Sequence, residues 1–196
     1  MTKEQLIEIV KLRIKPIVDE TSFAHEAWVE KIMSTVYSEL IANYDFNYDN
    51  GRYFTKDYEL TISQDPTTLI YYSEYPASVI HISDAAGAVR FISPKQDRSL
   101  QFVPVLDTDF ELMQNLNTHL YDDKIKYISG RSSIQYQGLT DDIIAAGVIA
   151  RLIISFDEYE YSDEIFIPGE KQKTFIDQAV IFLAGENEVD LINDNK

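Results

Sequence analysis

Apolar positions keep two different rhythms along the chain, and the change of rhythm divides it. Near the start, Leu6, Val10, Ile14 and Ile17 recur every three or four residues, with Ile7 and Ile9 widening the face. That spacing predicts a helix over 3–19 that Pro16 ends or kinks, since proline lacks the backbone donor. A second stripe places Trp28, Ile32, Val36 and Leu40 beside Val29, Met33, Tyr37 and Ile41. It predicts a helix broad enough to touch two neighbours, capped by Thr21 or Ser22. The short connection predicts an antiparallel helical hairpin. From Tyr44 the rhythm becomes alternation. YDFNYD, Asn50-Gly51 and RYFTKDYEL predict a β-hairpin, because Asn-Gly supplies the two positive φ angles of a tight turn. Further strands are expected at 59–63, 69–72, 79–83, 89–93 and 100–106, punctuated by Pro66, Pro76, Pro94 and Pro104. Thr108 and Glu111 form a capping box for a helix over 108–120. Residues 124–129 and 133–137, either side of Gly130-Arg131, read as another hairpin.

The chain is organised around 141–185. Val148, Ala150, Leu152, Ile154 and Phe156 fall on one face of an extended strand, and Ile149, Arg151, Ile153 and Ser155 on the other. This predicts a strand buried on one side and half covered on the other. An acidic connector, FDEYEYSDE, follows, and Pro168-Gly169 opens a helix. Phe175, Ile176, Ala179, Val180, Phe182 and Leu183 give that helix its apolar stripe, and Gly185 is placed to stop it. The fold class is therefore α+β. An N-terminal helical hairpin and a C-terminal helix pack together, with a β-sandwich-like middle layer. The 196 residues are expected to form one domain, with 1–43 and 170–185 as the helical layer, 44–168 as the β-rich layer and 186–196 as an acidic tail.

Charge and cysteine usage narrow the chemistry. The chain has no cysteine, which removes disulfides, thiolate catalysis and cysteine zinc sites together. Its net charge of −16 argues against sequence-reading nucleic-acid binding, because such a surface repels phosphate. From Asp157 to the end there are eleven acids and three bases, a net −8. With a charged N-terminus no signal peptide is expected, and the longest apolar run is interrupted by Arg151, too short to cross a membrane.

No catalytic or metal motif survives inspection. Asp45, Asn47 and Asp49 begin like a calcium loop, but Gly51 comes one place late and Lys56 stands where the bidentate acid belongs. Gly169, Lys171, Lys173 and Thr174 lack the order of a phosphate loop. His25, His81 and His119 show no metal spacing. The expectation is a non-enzymatic protein without a cofactor. Tyr44, Tyr48 and Tyr53, with Tyr71, Tyr72 and Tyr75 of LIYYSEYP, are candidate interface residues, because tyrosine offers contact area at low entropy cost. Asp157, Glu158, Glu160, Asp163 and Glu164 are candidates for an acidic channel lining or partner face.

The order of elements (helical pair, β-rich middle, apolar strand, acidic turn, returning helix) resembles the head-to-tail connector proteins of short-tailed bacteriophages, the tail-tubular gatekeeper or neck-ring type. LIISFDEYEYSDEIFIPGEKQKTFIDQAVIFLAG is similar in layout to that family's strand, turn and returning helix, and the tyrosine-rich, cysteine-free composition would suit the ring proteins of crAss-like phages. Ile165-Phe166-Ile167 is an addition that the plain layout does not need. The resemblance implies a structural virion protein, assembled in the host cytoplasm, that rings the path between portal and tail. Its implied partners are copies of itself, portal and other tail or neck proteins, and DNA as passing cargo, with no membrane. The tyrosines leave open a carbohydrate- or protein-binding accessory module, and the acids a DNA-mimic inhibitor.

Overall fold

The computed structural model describes residues 1–16, 26–44, 51–106 and 124–193, the last eight of these as backbone alone. The chain is an α+β protein with helices towards both ends, and it divides into two compact units: 1–45 with 155–196, and 46–154.

The first unit is helical. Helix α1 (Lys3–Ile14) starts from a capping box in which Thr2 and Gln5 each bond the other's backbone N–H. It buries Leu6, Ile7, Val10 and Ile14 and stops just before Pro16. Helix α2 (Glu26–Ala42) buries Val29, Ile32, Met33, Val36, Tyr37 and Ile41, leaving Trp28 and Leu40 half-buried at the margin. The returning helix packs against both, and Arg13 of α1 bonds its Asp177 at 2.6 Å. At its centre, Tyr37 meets Phe156 and Phe175 edge-on, with ring centroids 5.9 and 6.4 Å apart. Burying each such ring contributes about 1.5–3 kcal/mol.

The β unit holds two sheets. β1 (Thr55–Leu60), β2 (Ser63–Gln64), β3 (Tyr71–Glu74), β4 (Val89–Pro94), β5 (Val103–Pro104), β6 (Lys126–Ser129), β7 (Ser133–Gln137) and β8 (Val148–Ile153) follow in chain order, with a short helix α3 (Asp141–Ala146) before β8. One sheet runs β1-β8-β4 and the other β2-β3-β7-β6-β5, with every pairing antiparallel except β5 with β6. Phe102 joins the sheets: its N–H donates to Ile92 of β4 at 3.0 Å and its ring meets Tyr136 of β7. Pro104 sits in an edge strand, where a missing N–H is tolerated.

Several expectations change. β8 is the middle strand of its sheet, and Ile149 and Ile153 are buried like Val148 and Leu152, so the second face is covered more fully than expected, with Arg151 the partly exposed position between them. Arg151 is accommodated because Asp57 lies directly opposite on β1 and holds it at 2.7 Å, while Phe91 lies opposite on β4 beneath the guanidinium. The strand ends at Ile153, and Phe156 opens a 3-10 turn. The 79–83 strand reduces to one bridge, Val79 with Ile154, and the 100–106 strand to β5. Of the hairpin expected around Asn50-Gly51, residues 45–50 lie outside the described residues; Gly51–Phe54 is a 3-10 turn, and β1 pairs with β8. The 108–120 helix and the Thr21/Ser22 cap also lie outside the described residues. The hairpin of β6 and β7 stands as expected.

The C-terminal helix, α4 (Gly169–Asn193), runs through Gly185. Gly185 has an ordinary helical backbone, and a mid-helix glycine costs only about 1 kcal/mol, which eight further helical residues offset. Residues 155–168 belong with the helices and not with the β-rich layer.

Gly147, between α3 and β8, has φ +79° and ψ −175°, a region essentially closed to other residues. A Cβ there would sit 2.6 Å from the Leu60 carbonyl oxygen. Gly147→Ala is expected to cost about 2–3 kcal/mol of stability in urea denaturation, against a few tenths for Gly169→Ala, where the space is open.

Candidate functional site

The acidic connector is built around a lysine. Lys3 is only 2% exposed. Its Nζ donates to the carbonyls of Tyr159 at 2.8 Å and Asp157 at 3.1 Å, and pairs with Glu30 of α2. It lies 5.6 Å from the centroid of Phe156 and 5.2 Å from that of Tyr161. An ammonium removed from water needs charged and dipolar partners on every side, and this cage supplies them. Main-chain bonds fix the loop further: Lys3 N–H to Asp163, Glu4 N–H to Tyr161 and Ile165 N–H to Met1. The first residues of the chain and residues 157–165 therefore form one closed clasp.

Because Lys3 takes mainly carbonyls, the loop's acids stay near the surface. Asp157, Glu160 and Glu164 are exposed, while Glu158 and Asp163 are half-buried. Asp163 accepts the Glu160 N–H at 3.0 Å, an internal brace. Asp157 accepts from Ser34 of α2 at 3.1 Å, and Ser34 shares a 2.7 Å hydrogen bond with Ser155. Burial works to raise the Asp157 pKa, but the Ser155 and Ser34 hydroxyls, the residue's own N–H and the Lys3 charge outweigh it and hold the carboxyl below its usual value. Sequence reasoning singled out all five acids and missed Lys3, Ser34 and Glu30. Each lies more than one hundred residues from the loop, so no local pattern could have connected them to it.

The candidate tyrosines do not form one group. Tyr48 lies outside the described residues. Tyr44, half-buried in the helical unit, lines a groove with Glu39, Leu40, Lys171 and Phe175. Tyr53 is exposed before β1. Tyr71 and Tyr72 are neighbours on β3 and so point to opposite faces. Tyr71 stands in register with Tyr136 and Tyr127, which are both buried. Burial pushes the hydroxyl pKa values of Tyr127 and Tyr136 well above the usual phenol value, so both stay neutral. Tyr72 faces the other way, with Ser63 opposite it on β2 and Glu74 two residues on. Ser63, Tyr72 and Glu74 line an open groove of about 310 Å³, together with Glu59, Leu60, Thr61 and Pro76.

Tyr75 enters a polar knot. Its hydroxyl meets Ser129 Oγ at 2.8 Å, Ser129 also accepts the Ala88 N–H at 3.2 Å, and His81 packs edge-on to the Tyr75 ring. Burial raises the Tyr75 pKa, partly offset by the Ser129 bond, so Tyr75 is no base. His81 makes no hydrogen bond to Ser129; its Nε2 lies 3.4 Å from the Arg131 carbonyl. Gly87 is required here, with φ +56° and a Cβ position 2.5 Å from Ser129 Oγ. The knot ties β6 to the turn before β4 and offers no activated nucleophile.

Among the described residues no group of His, Asp and Glu could hold a metal ion, and no helix is long and apolar enough to cross a membrane. His25, His119 and the Asp45, Asn47, Asp49 set lie outside the described residues. Lys171 and Lys173 are exposed in the first turns of α4. No protein-family model matches the chain, and no curated protein sequence is significantly similar to it.

Proposed function

We propose that this chain is a virion structural subunit of a short-tailed phage, copies of which form a ring between portal and tail around the genome channel. The observation that carries the reading is the closure of the helical unit. The opening helices, the 155–165 loop and the returning helix share one packed unit, with the β unit strung between residues 46 and 154. This closure supports the connector reading. The acids of the loop add support, since Lys3 holds the loop through carbonyls and leaves Asp157, Glu160 and Glu164 on the surface. A conduit for DNA works best when its wall does not capture phosphate.

The test is co-sedimentation of the purified chain with portal rings from the same phage. Stoichiometric binding to the ring is expected. A chain that stays in the supernatant at high concentration contradicts the proposal.

A further inference from the structure

The groove on the outward face of β3 brings together features that suit one kind of occupant. Leu60, Tyr72 and Pro76 line it together with Glu59 and Glu74, and most of its lining is polar. Tyr72 and Glu74 are two residues apart on one strand, so both side chains rise from the same face, while Ser73 between them turns inward and is 1% exposed. Ser73 Oγ donates to the Thr61 carbonyl at 2.7 Å, which fixes the far wall against β3. Glu59 is already held by Lys95 at 2.5 Å. Glu74 has no partner among the described residues. A tyrosine ring and an uncompensated carboxylate rising side by side attract a cation that can lie flat on the ring and bond the acid in the same plane. Guanidinium does both, and ammonium only one well. At about 310 Å³ the space is at the small end for a binding cleft, sized for one long side chain.

We infer that this groove receives an arginine side chain of a partner protein. The partner is a different, basic protein: the Glu74 carboxylate in the groove and the net charge of −16 draw a basic surface in. The inference concerns the β unit alone and stands apart from the connector reading.

The test is saturation-transfer NMR on the full chain with acetyl-Gly-Arg-Gly-amide. This method observes the small peptide whether the protein is a monomer or a large ring. The peptide with citrulline in place of arginine is the uncharged control. Arginine δ-CH2 and γ-CH2 protons are expected to saturate most strongly. Tyr72→Ala and Glu74→Gln are each expected to weaken the signal about fivefold, and Glu39→Gln in the other unit to leave it unchanged. Tyr72 is half-buried and Glu74 exposed, and unchanged circular dichroism of the variants establishes that they fold. Equal signals from the citrulline peptide, or from wild type and both groove variants, overturn the inference. So does loss of self-assembly in Tyr72→Ala or Glu74→Gln, which would make the occupant a second copy.

Discussion

Lys3→Met is expected to destabilise the helical unit by about 3–5 kcal/mol, the usual result of removing one partner from a buried ion pair. The Glu30 side chain, 19% exposed, would remain charged without its cation, and two carbonyls would lose their donor. The dipole and ring contacts of the cage go with it. Trp28, the chain's one tryptophan, lies on α2 in the same unit, so urea denaturation followed by its fluorescence reads the effect directly. The double variant Lys3→Met, Glu30→Met is expected to recover much of the loss, because no unpaired charge is then buried. A single-variant loss under about 1 kcal/mol would mean that water reaches the ammonium and that the clasp is an ordinary surface pair.

Phe156→Ala is expected to cost a similar amount, about 3–5 kcal/mol, for a different reason. The ring is fully buried and meets Tyr37 at 5.9 Å, Phe175 at 6.4 Å and the Lys3 ammonium at 5.6 Å, so its removal leaves a cavity lined from three segments. Phe156→Leu fills part of the space and is expected to lose about half as much. Tyr161→Ala removes the other ring near Lys3, but Tyr161 is 45% exposed and its loss is expected to stay near 1 kcal/mol. If the two alanine variants cost the same, the core does not close around Phe156.

What the sequence conveyed well were features set by neighbours in the chain. The stripe Leu6, Ile7, Val10, Ile14 is visible as a period and is buried as a face. The hairpin of β6 and β7 is marked by its turn, and the alternation of 148–153 identifies a strand. Features set by distant partners were misread. Arg151 made one face of β8 look half-polar, because nothing local signals that Asp57 waits across the ladder. Gly185 looked like a stop, although a single glycine is a weak penalty beside the packing of Ala179 and Leu183 just before it. The acidic loop was assigned to the β layer, since its attachment depends on a lysine 154 residues away. Tyrosine clustering was the least informative signal. Strand alternation separates Tyr71 from Tyr72, and burial claims Tyr127 and Tyr136, so composition alone could not sort surface from core.

The most direct measurement of the assembly claim is the native mass of the purified full chain across a concentration series. The account expects a discrete species, at an integral multiple of the chain mass well above a dimer, that grows with concentration. A single-chain mass at every concentration, or an open-ended ladder without a closed species, would contradict a ring.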